Sequence, residues 1–125
     1  MTFSVQSQLL RFDEVNSETN PVAVLRLEPP ELEERGTPKF CEGYDDLDYL
    51  TFSVLLLSSQ HRVALVRHKN SPKPGTEVCV IPDELNILER LMETINLLGL
   101  SNKDFSWIHP QHEKEVRDKL NILVR

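Results

Sequence analysis

Residues 82–100, PDELNILERLMETINLLGL, carry the most regular pattern in the chain. At about 100° per residue, apolar and polar side chains separate onto opposite halves of a helical wheel. Asp83 can cap the first N–H groups, and Gly99 is the residue type that ends helices in the left-handed conformation. The apolar half holds Leu85, Ile87, Leu88, Leu91, Met92, Ile95 and Leu98, and the polar half holds Asn86, Glu89, Arg90, Glu93, Thr94 and Asn96. Such a broad apolar face indicates a helix that covers a sheet, with Leu100 folded back against its end.

Three apolar segments precede this helix. They are residues 50–58 (LTFSVLLLS), 62–67 (RVALVR) and 77–81 (EVCVI), separated by polar turns. Such segments joined by short connections predict an antiparallel meander of three strands. Their nearly continuous hydrophobicity indicates strands that are covered on both faces, or on one face and by a subunit contact.

Two further strands are predicted near the N-terminus. Residues 2–11 alternate between apolar and polar side chains, and Pro21 opens a second apolar run, VAVLRL, which ends before Pro29. We expect these two strands to form a hairpin. The sequence thus predicts an α+β fold: an antiparallel sheet of about five strands, two N-terminal and three in a meander, with one amphipathic helix packed across it and a second C-terminal surface helix.

The region after Gly99 predicts this last helix. Ser101 and Asp104 have the spacing of a capping box, and Trp107 is expected to be a half-buried wedge. Pro110 suits the first position of a helix. The apolar stripe of that helix is narrow and consists of Val116, Leu120 and Leu123.

The length of 125 residues predicts one globular domain spanning residues 1–125. No apolar run reaches the roughly 18 residues of a membrane span, so we expect no membrane partner. The N-terminus lacks the features of a signal peptide, which favours a cytoplasmic location. Cys41 and Cys79 lie in unlike surroundings, and we expect no disulfide between them.

The charge is unevenly distributed. The chain carries a net charge of −6, and residues 28–48 alone carry −6, whereas residues 61–76 carry +4. Residues 29–49 are predicted to form a long acidic loop rich in proline and glycine, with one helical turn near residues 30–35. Phe40, Leu47 and Tyr49 are expected to attach this loop to the body. The opposed segments could attract each other within the fold or mark a contact between subunits.

The histidines and cysteines suggest weak catalytic candidates. His109 and His112, with Asp104 and Glu113 nearby, could contribute to a metal site, but such a site needs three or four ligands. His61 and His68 flank one strand and are expected on opposite faces of it. Cys79 and His68 could be imagined as nucleophile and base, yet no orienting residue accompanies them. We assign no catalytic, cofactor-binding or metal-ligating residue.

Glu89 and Glu93 offer a divalent-cation alternative, because they stand one turn apart on the polar face of the long helix. The layout of LLLSSQHRVALVRH, Pro82 and a helix ending at Gly99 resembles that of a Nudix hydrolase. In that family the helix carries an arginine and three glutamates that hold magnesium ions. Here only Glu93 matches that set, so we assign no membership.

The function predicted from the sequence is protein–protein interaction without catalysis. The partner would be an unidentified protein or a second copy of the chain, and no cofactor is implied. One alternative is a divalent-dependent hydrolase that uses Glu89 and Glu93. Another is weak nucleic-acid binding through the basic loop at residues 62–73, against which the acidic composition and the lack of interleaved aromatic residues argue.

Overall fold

The computed structural model describes residues 4–5, 20–36, 38–44, 49–57, 61–81 and 86–123. In this part of the chain seven strands form one antiparallel sheet accompanied by three helices. The α+β class predicted from the sequence is therefore confirmed. No helix among the described residues is both long and apolar enough to cross a membrane. The elements are β1 (Ser4–Val5), β2 (Asn20–Leu25), α1 (Pro29–Glu33), β3 (Cys41–Tyr44), β4 (Tyr49–Leu56), β5 (Arg62–His68), β6 (Thr76–Ile81), α2 (Ile87–Leu98), a 3-10 turn (Asn102–Asp104), β7 (Phe105–Ile108) and α3 (Pro110–Leu123).

The strands follow the order β1-β4-β5-β6-β2-β7, and β3 also pairs with β4. The predicted meander is present as β4, β5 and β6. Because β5 occupies one edge of β4, β1 and β3 share the other edge. There β1 lies beside Leu55 and Leu56, and β3 lies beside residues 49–52.

The predicted hairpin between the first two strands is wrong. β1 pairs with β4, whereas β2 lies between β6 and β7. Val22, Ala23 and Leu25 of β2 are buried, as is typical of a strand that is paired on both edges. Of the predicted strand 2–11, only Ser4 and Val5 lie among the described residues.

The sheet contains two strands that the sequence did not predict. Residues 29–49, predicted as a loop with one helical turn, contain α1 and also β3, whose four residues are too few to show an alternating pattern. The strand β7 is irregular because its register with β2 shifts between Val24 and Leu25. This bulge leaves Ser106 and Trp107 both exposed while Phe105 and Ile108 are buried.

The central strands bury both of their faces, as their continuous hydrophobicity predicted. On the helix side of the sheet, Leu55, Val63, Leu65 and Val78 belong to one cluster with the buried residues of α2 and α3. On the opposite side, which we call the second face, a separate cluster contains Leu50, Phe52, Val54, Ala64, Val66 and Cys79.

The helix α2 ends as its sequence predicted. Gly99 is left-handed with φ +65°, and the N–H groups of Gly99 and Leu100 both donate to the carbonyl oxygen of Ile95. Leu100 is buried, as a residue that folds back over the helix end should be. At the other end the described helix begins at Ile87, and the predicted cap Asp83 lies outside the described residues.

The buried side of α2 differs from the prediction. Arg90 and Thr94 were placed on the polar half, yet both are buried beside Leu91, Ile95 and Leu98. Thr94 satisfies its hydroxyl locally, by donating from Oγ1 to the carbonyl oxygen of Arg90 at 2.8 Å. A helical wheel that sorts residues by polarity cannot detect a polar residue whose hydrogen bonds allow burial.

The C-terminal region keeps its predicted turn and helix. Ser101 and Asp104 form the expected capping box, with the Asp104 carboxylate accepting from the Ser101 N–H at 2.8 Å. α3 begins at Pro110 and buries Val116 and Leu120. Trp107, which was expected to be half-buried, is 39% exposed.

Candidate functional site

The acidic and basic segments meet within one chain. The Glu28 carboxylate accepts from Arg67 Nε at 3.0 Å and from the N–H of Gly75 at 2.8 Å. Arg67 Nη1 also donates to the carbonyl oxygens of His68 and Lys73. Arg67 therefore holds the loop between β5 and β6 in place, which leaves it less able to serve as an exposed cation.

A groove of about 720 Å³ opens next to this ion pair, between α1 and the ends of β3, β4 and β5. Glu42, Thr51 and Arg67 stand directly opposite one another on three neighbouring strands, so they share one face of the sheet and form the floor. Beyond them Tyr49 and Lys69 face each other. We call this cavity the Tyr49 groove.

Tyr49 and Lys69 are positioned by one another. The N–H of Lys69 donates to the carbonyl oxygen of Tyr49 at 2.8 Å, which continues the β4–β5 ladder by one step. The Lys69 ammonium lies 5.7 Å from the centroid of the Tyr49 ring, within cation–π range. Tyr49 was expected to attach a loop to the body, but its side chain is 63% exposed.

The helix α1 forms the wall of the Tyr49 groove. It contributes Pro29, Pro30 and Glu33, and the Glu33 carboxylate accepts from the N–H of Phe40 at 2.8 Å, which fixes the aromatic residue that also lines the groove. Phe40 packs against the helix-side core, so it attaches this segment as predicted. The wall is therefore held at both ends of α1, by Glu33 at its last residue and by Glu28 just before its first.

Arg35 connects α1 to the end of α2. Its Nη1 donates to the carbonyl oxygens of Leu98 at 3.2 Å and Gly99 at 2.8 Å, and lies 3.6 Å from the Asp104 carboxylate. A cation at this position satisfies the last carbonyls of α2 and suits the negative end of its dipole. The groove wall is thus anchored to the core helix.

The described lining of the Tyr49 groove holds no pair of nucleophile and general base. Its described lining contains carboxylates, cations and aromatic rings but no cysteine, histidine or serine. Nucleophilic catalysis needs a nucleophile beside a general base, and Thr51 has no described histidine in this lining to activate it. The charges are also unequal, because Glu28 neutralises Arg67 and the lining also holds two acids, Glu33 and Glu42, and one further cation, Lys69.

A second groove, of about 620 Å³, lies beside β2, β6 and β7. It is lined by Trp107 and Val24 together with two cations, Arg26 and Lys73, and we call it the Trp107 groove. The cations of the basic loop are therefore divided, with Lys69 in one groove and Lys73 in the other.

The histidine pair of the sequence analysis is ordered by local contacts. His109 Nδ1 accepts from the N–H of Gln111 at 3.1 Å, and its ring centroid lies 5.9 Å from that of His112. Asp104 is engaged in its capping box, and Glu113 pairs with Arg117 at 3.2 Å. Among the described residues these imidazoles join no group of three side chains that could hold a metal ion.

His61 and His68 lie on opposite sides of the sheet, as expected. His61 Nδ1 is 3.2 Å from Arg90 Nη2 on the helix side. Because a guanidinium only donates, this nitrogen of His61 is the acceptor. His68 pairs with Leu50, whose side chain lies on the second face.

Cys79 is not placed for catalysis with His68. It pairs with Ala64, four residues from His68 along β5, which corresponds to roughly 13 Å. Burial, reinforced by the nearby Glu77 carboxylate, raises the pKa of the Cys79 thiol far above its usual range. The thiolate needed for nucleophilic attack is therefore disfavoured.

Thiol labelling of the native protein tests this description of the cysteines. At neutral pH, N-ethylmaleimide should modify the partly exposed Cys41 and leave the buried, protonated Cys79 unmodified. Peptide mapping by mass spectrometry distinguishes the two sites, and the unfolded chain, in which both should react, is the control. Equal labelling of both cysteines in the native protein would contradict the assignment.

In the part of the chain that the structure describes, Glu89 and Glu93 of α2 belong to no group of possible metal ligands. Glu89 is exposed and Glu93 is partly buried. Among the described residues, no group of three His, Cys, Asp or Glu side chains could hold a metal ion. The geometry therefore adds no support to the divalent-dependent alternative.

Comparison of the chain with models of known protein families, with curated proteins and with solved structures finds no match. The functional proposal therefore depends on the two grooves and their chemistry.

Neither groove was predicted from the sequence. The uneven charge of the sequence gave a partial indication of the Tyr49 groove. The ion pair between Glu28 and Arg67, beside this groove, joins the acidic segment to the basic segment. No pattern indicated that Tyr49 and Trp107 would be exposed, because large aromatic residues within apolar stretches are usually buried.

Proposed function

We propose that this protein acts without catalysis, by binding a segment of another protein in the Tyr49 groove. The observation that carries the proposal is the 63% exposure of Tyr49 over a groove of about 720 Å³ whose described lining holds no catalytic pair. Tyrosine is enriched where proteins meet, because its ring gives a large contact area at low cost in conformational entropy.

The partner segment we propose is apolar with a neighbouring lysine or arginine. Pro29, Pro30 and Phe40 offer apolar contact to its side chains. Glu33 and Glu42 give the groove an acidic excess that would attract the cation, and complementary charge of this kind steers association. The free thiols of Cys41 and Cys79 agree with a reducing compartment, so we propose that the interaction occurs in the cytoplasm.

Site-specific crosslinking in the native host tests this proposal. A photo-crosslinking phenylalanine analogue in place of Tyr49 should give a discrete adduct with the partner. The same analogue in place of Lys114, whose side chain is 90% exposed on α3, is the matched control and should give none. Adding Glu42→Lys to the Tyr49 variant should reduce the adduct, because it reverses one of the attracting charges.

The identity of the adduct decides between the possible partners. A heterologous protein whose crosslinked peptide contains a basic residue would support the proposal. An adduct of twice the chain mass would show that a second copy occupies the groove. Equal adducts at positions 49 and 114, or none at either, would contradict a specific site.

A further inference from the structure

The Trp107 groove lies on the second face of the sheet, where that face becomes open to solvent. Val24 is directly opposite Trp107 on one side and Glu77 on the other, and Glu77 is directly opposite Val66. Directly paired residues point to the same face, so these four side chains form a single row. Val66 at one end of the row is buried, whereas Trp107 at the other end is 39% exposed.

The indole of Trp107 is held in position by its surroundings. The bulge at Ser106 directs the tryptophan onto the second face, and the Ser106 hydroxyl donates to the carbonyl oxygen of Val24 at 3.3 Å. The His109 ring meets the indole edge-on, with centroids 5.9 Å apart and an interplanar angle of 65°. This contact supports the ring while the groove stays open beside it.

The two cations of the groove are also placed by fixed backbone. Arg26 Nε donates to the carbonyl oxygen of Lys103 at 3.1 Å, which orients the guanidinium plane, and a guanidinium has further N–H groups that can donate to a ligand. The carbonyl oxygen of Lys73 accepts from Arg67, and the neighbouring Gly75 is bound by Glu28. The loop that carries Lys73 is therefore preformed, so a ligand that binds there loses little free energy to ordering the loop.

The described lining contains one acidic residue, Glu77, whose carboxylate lies near Cys79. The Glu77 carboxylate lies 4.0 Å from Sγ of Cys79, which is buried in the second-face cluster. Two cations and one such acid leave the groove locally positive on a chain of net charge −6. A small anion is therefore a better match than a polyanion, which the whole acidic molecule would repel.

We propose that the Trp107 groove binds a nucleoside phosphate, with the base against the Trp107 indole and the phosphate at Arg26 and Lys73. A planar aromatic base stacks well on an indole. Arginine and lysine are the usual phosphate partners. The cavity of about 620 Å³ falls within the roughly 300–1,000 Å³ typical of small-molecule sites. This inference is independent of the Tyr49 groove.

The chain contains one tryptophan, so its intrinsic fluorescence reports directly on this groove. Titrating the full chain with adenosine monophosphate should give a saturable change in indole emission. Adenosine and inorganic phosphate separately should each bind about tenfold more weakly or worse, because each supplies only one of the two contacts. A parallel titration by calorimetry confirms the stoichiometry.

Substitutions in the two grooves separate the sites. Arg26→Ala and Lys73→Ala should each weaken binding by about tenfold, because each removes a charge-assisted contact to phosphate. Lys69→Ala removes the same charge from the Tyr49 groove and should leave the affinity unchanged. Circular dichroism establishes that the variants are folded.

Three results would overturn this inference. The first is the absence of any saturable fluorescence or calorimetric response at millimolar nucleotide. The second is equal binding to the Arg26→Ala, Lys73→Ala and Lys69→Ala variants. The third is a single-stranded oligonucleotide that binds much more tightly than the mononucleotide, which would indicate a nucleic-acid site instead.

Discussion

Replacing Gly75 with alanine is expected to destabilise the protein by about 3 kcal/mol or more. Gly75 has φ +105°, and a Cβ atom there would lie 2.0 Å from the carbonyl oxygen of Leu25. That oxygen belongs to β2, which is paired on both edges and cannot easily move. The loop must then shift, breaking the hydrogen bond from Gly75 to Glu28 that connects the two charged segments. Urea unfolding followed by circular dichroism measures the loss.

Gly36 provides the matched control, because it separates backbone strain from steric overlap. It has a similar φ of +97°, but nothing lies within 4 Å of the position that a Cβ would occupy. Gly36→Ala should therefore cost only the conformational strain, about 1–2 kcal/mol. Similar losses for the two variants would contradict the close approach of Gly75 to β2.

The second large effect is expected at Arg90. Arg90 belongs to α2 and is completely buried, and Arg90→Ala should cost about 3–5 kcal/mol. The substitution leaves a cavity where the long side chain packed and removes the donor to His61 Nδ1. Thermal and urea unfolding should both show the loss.

Two further variants test whether the loss comes from the buried volume and the hydrogen bond of Arg90. Arg90→Met retains most of the packed volume without the hydrogen bonds, so it should lose less stability than Arg90→Ala. Glu89→Ala changes the exposed neighbour and should stay within about 0.5 kcal/mol of the wild type. If Arg90→Ala were as mild as Glu89→Ala, Arg90 would not be part of the core.

Much of the architecture could be predicted because it depends on local patterns. The meander followed from three apolar runs, and the end of α2 followed from Gly99 and Leu100. The pairing of β2 with β6 and β7 could not be predicted, since β7 lies about 80 residues further along the chain and its bulge hides the alternation. Strand pairing between distant segments leaves no periodic trace in one sequence.

The grooves were harder to predict than the fold, for a physical reason. Each one combines residues from several strands and loops that come together only after the sheet has formed. The floor of the Tyr49 groove, for example, takes Glu42, Thr51 and Arg67 from three strands. A charge map of the sequence found the opposed segments but could not reveal that Glu28 and Arg67 neutralise each other inside one chain.

The most direct test of the account is the affinity of the crosslinked partner segment for variants of the Tyr49 groove. Isothermal titration should show that Tyr49→Ser binds the segment at least about tenfold more weakly than the wild type, since an aromatic side chain that becomes buried on binding carries much of the binding energy. Lys114→Ala, on the exposed face of α3, should bind as the wild type does. Equal affinities of the Tyr49→Ser and wild-type proteins would contradict the Tyr49 groove as the binding site.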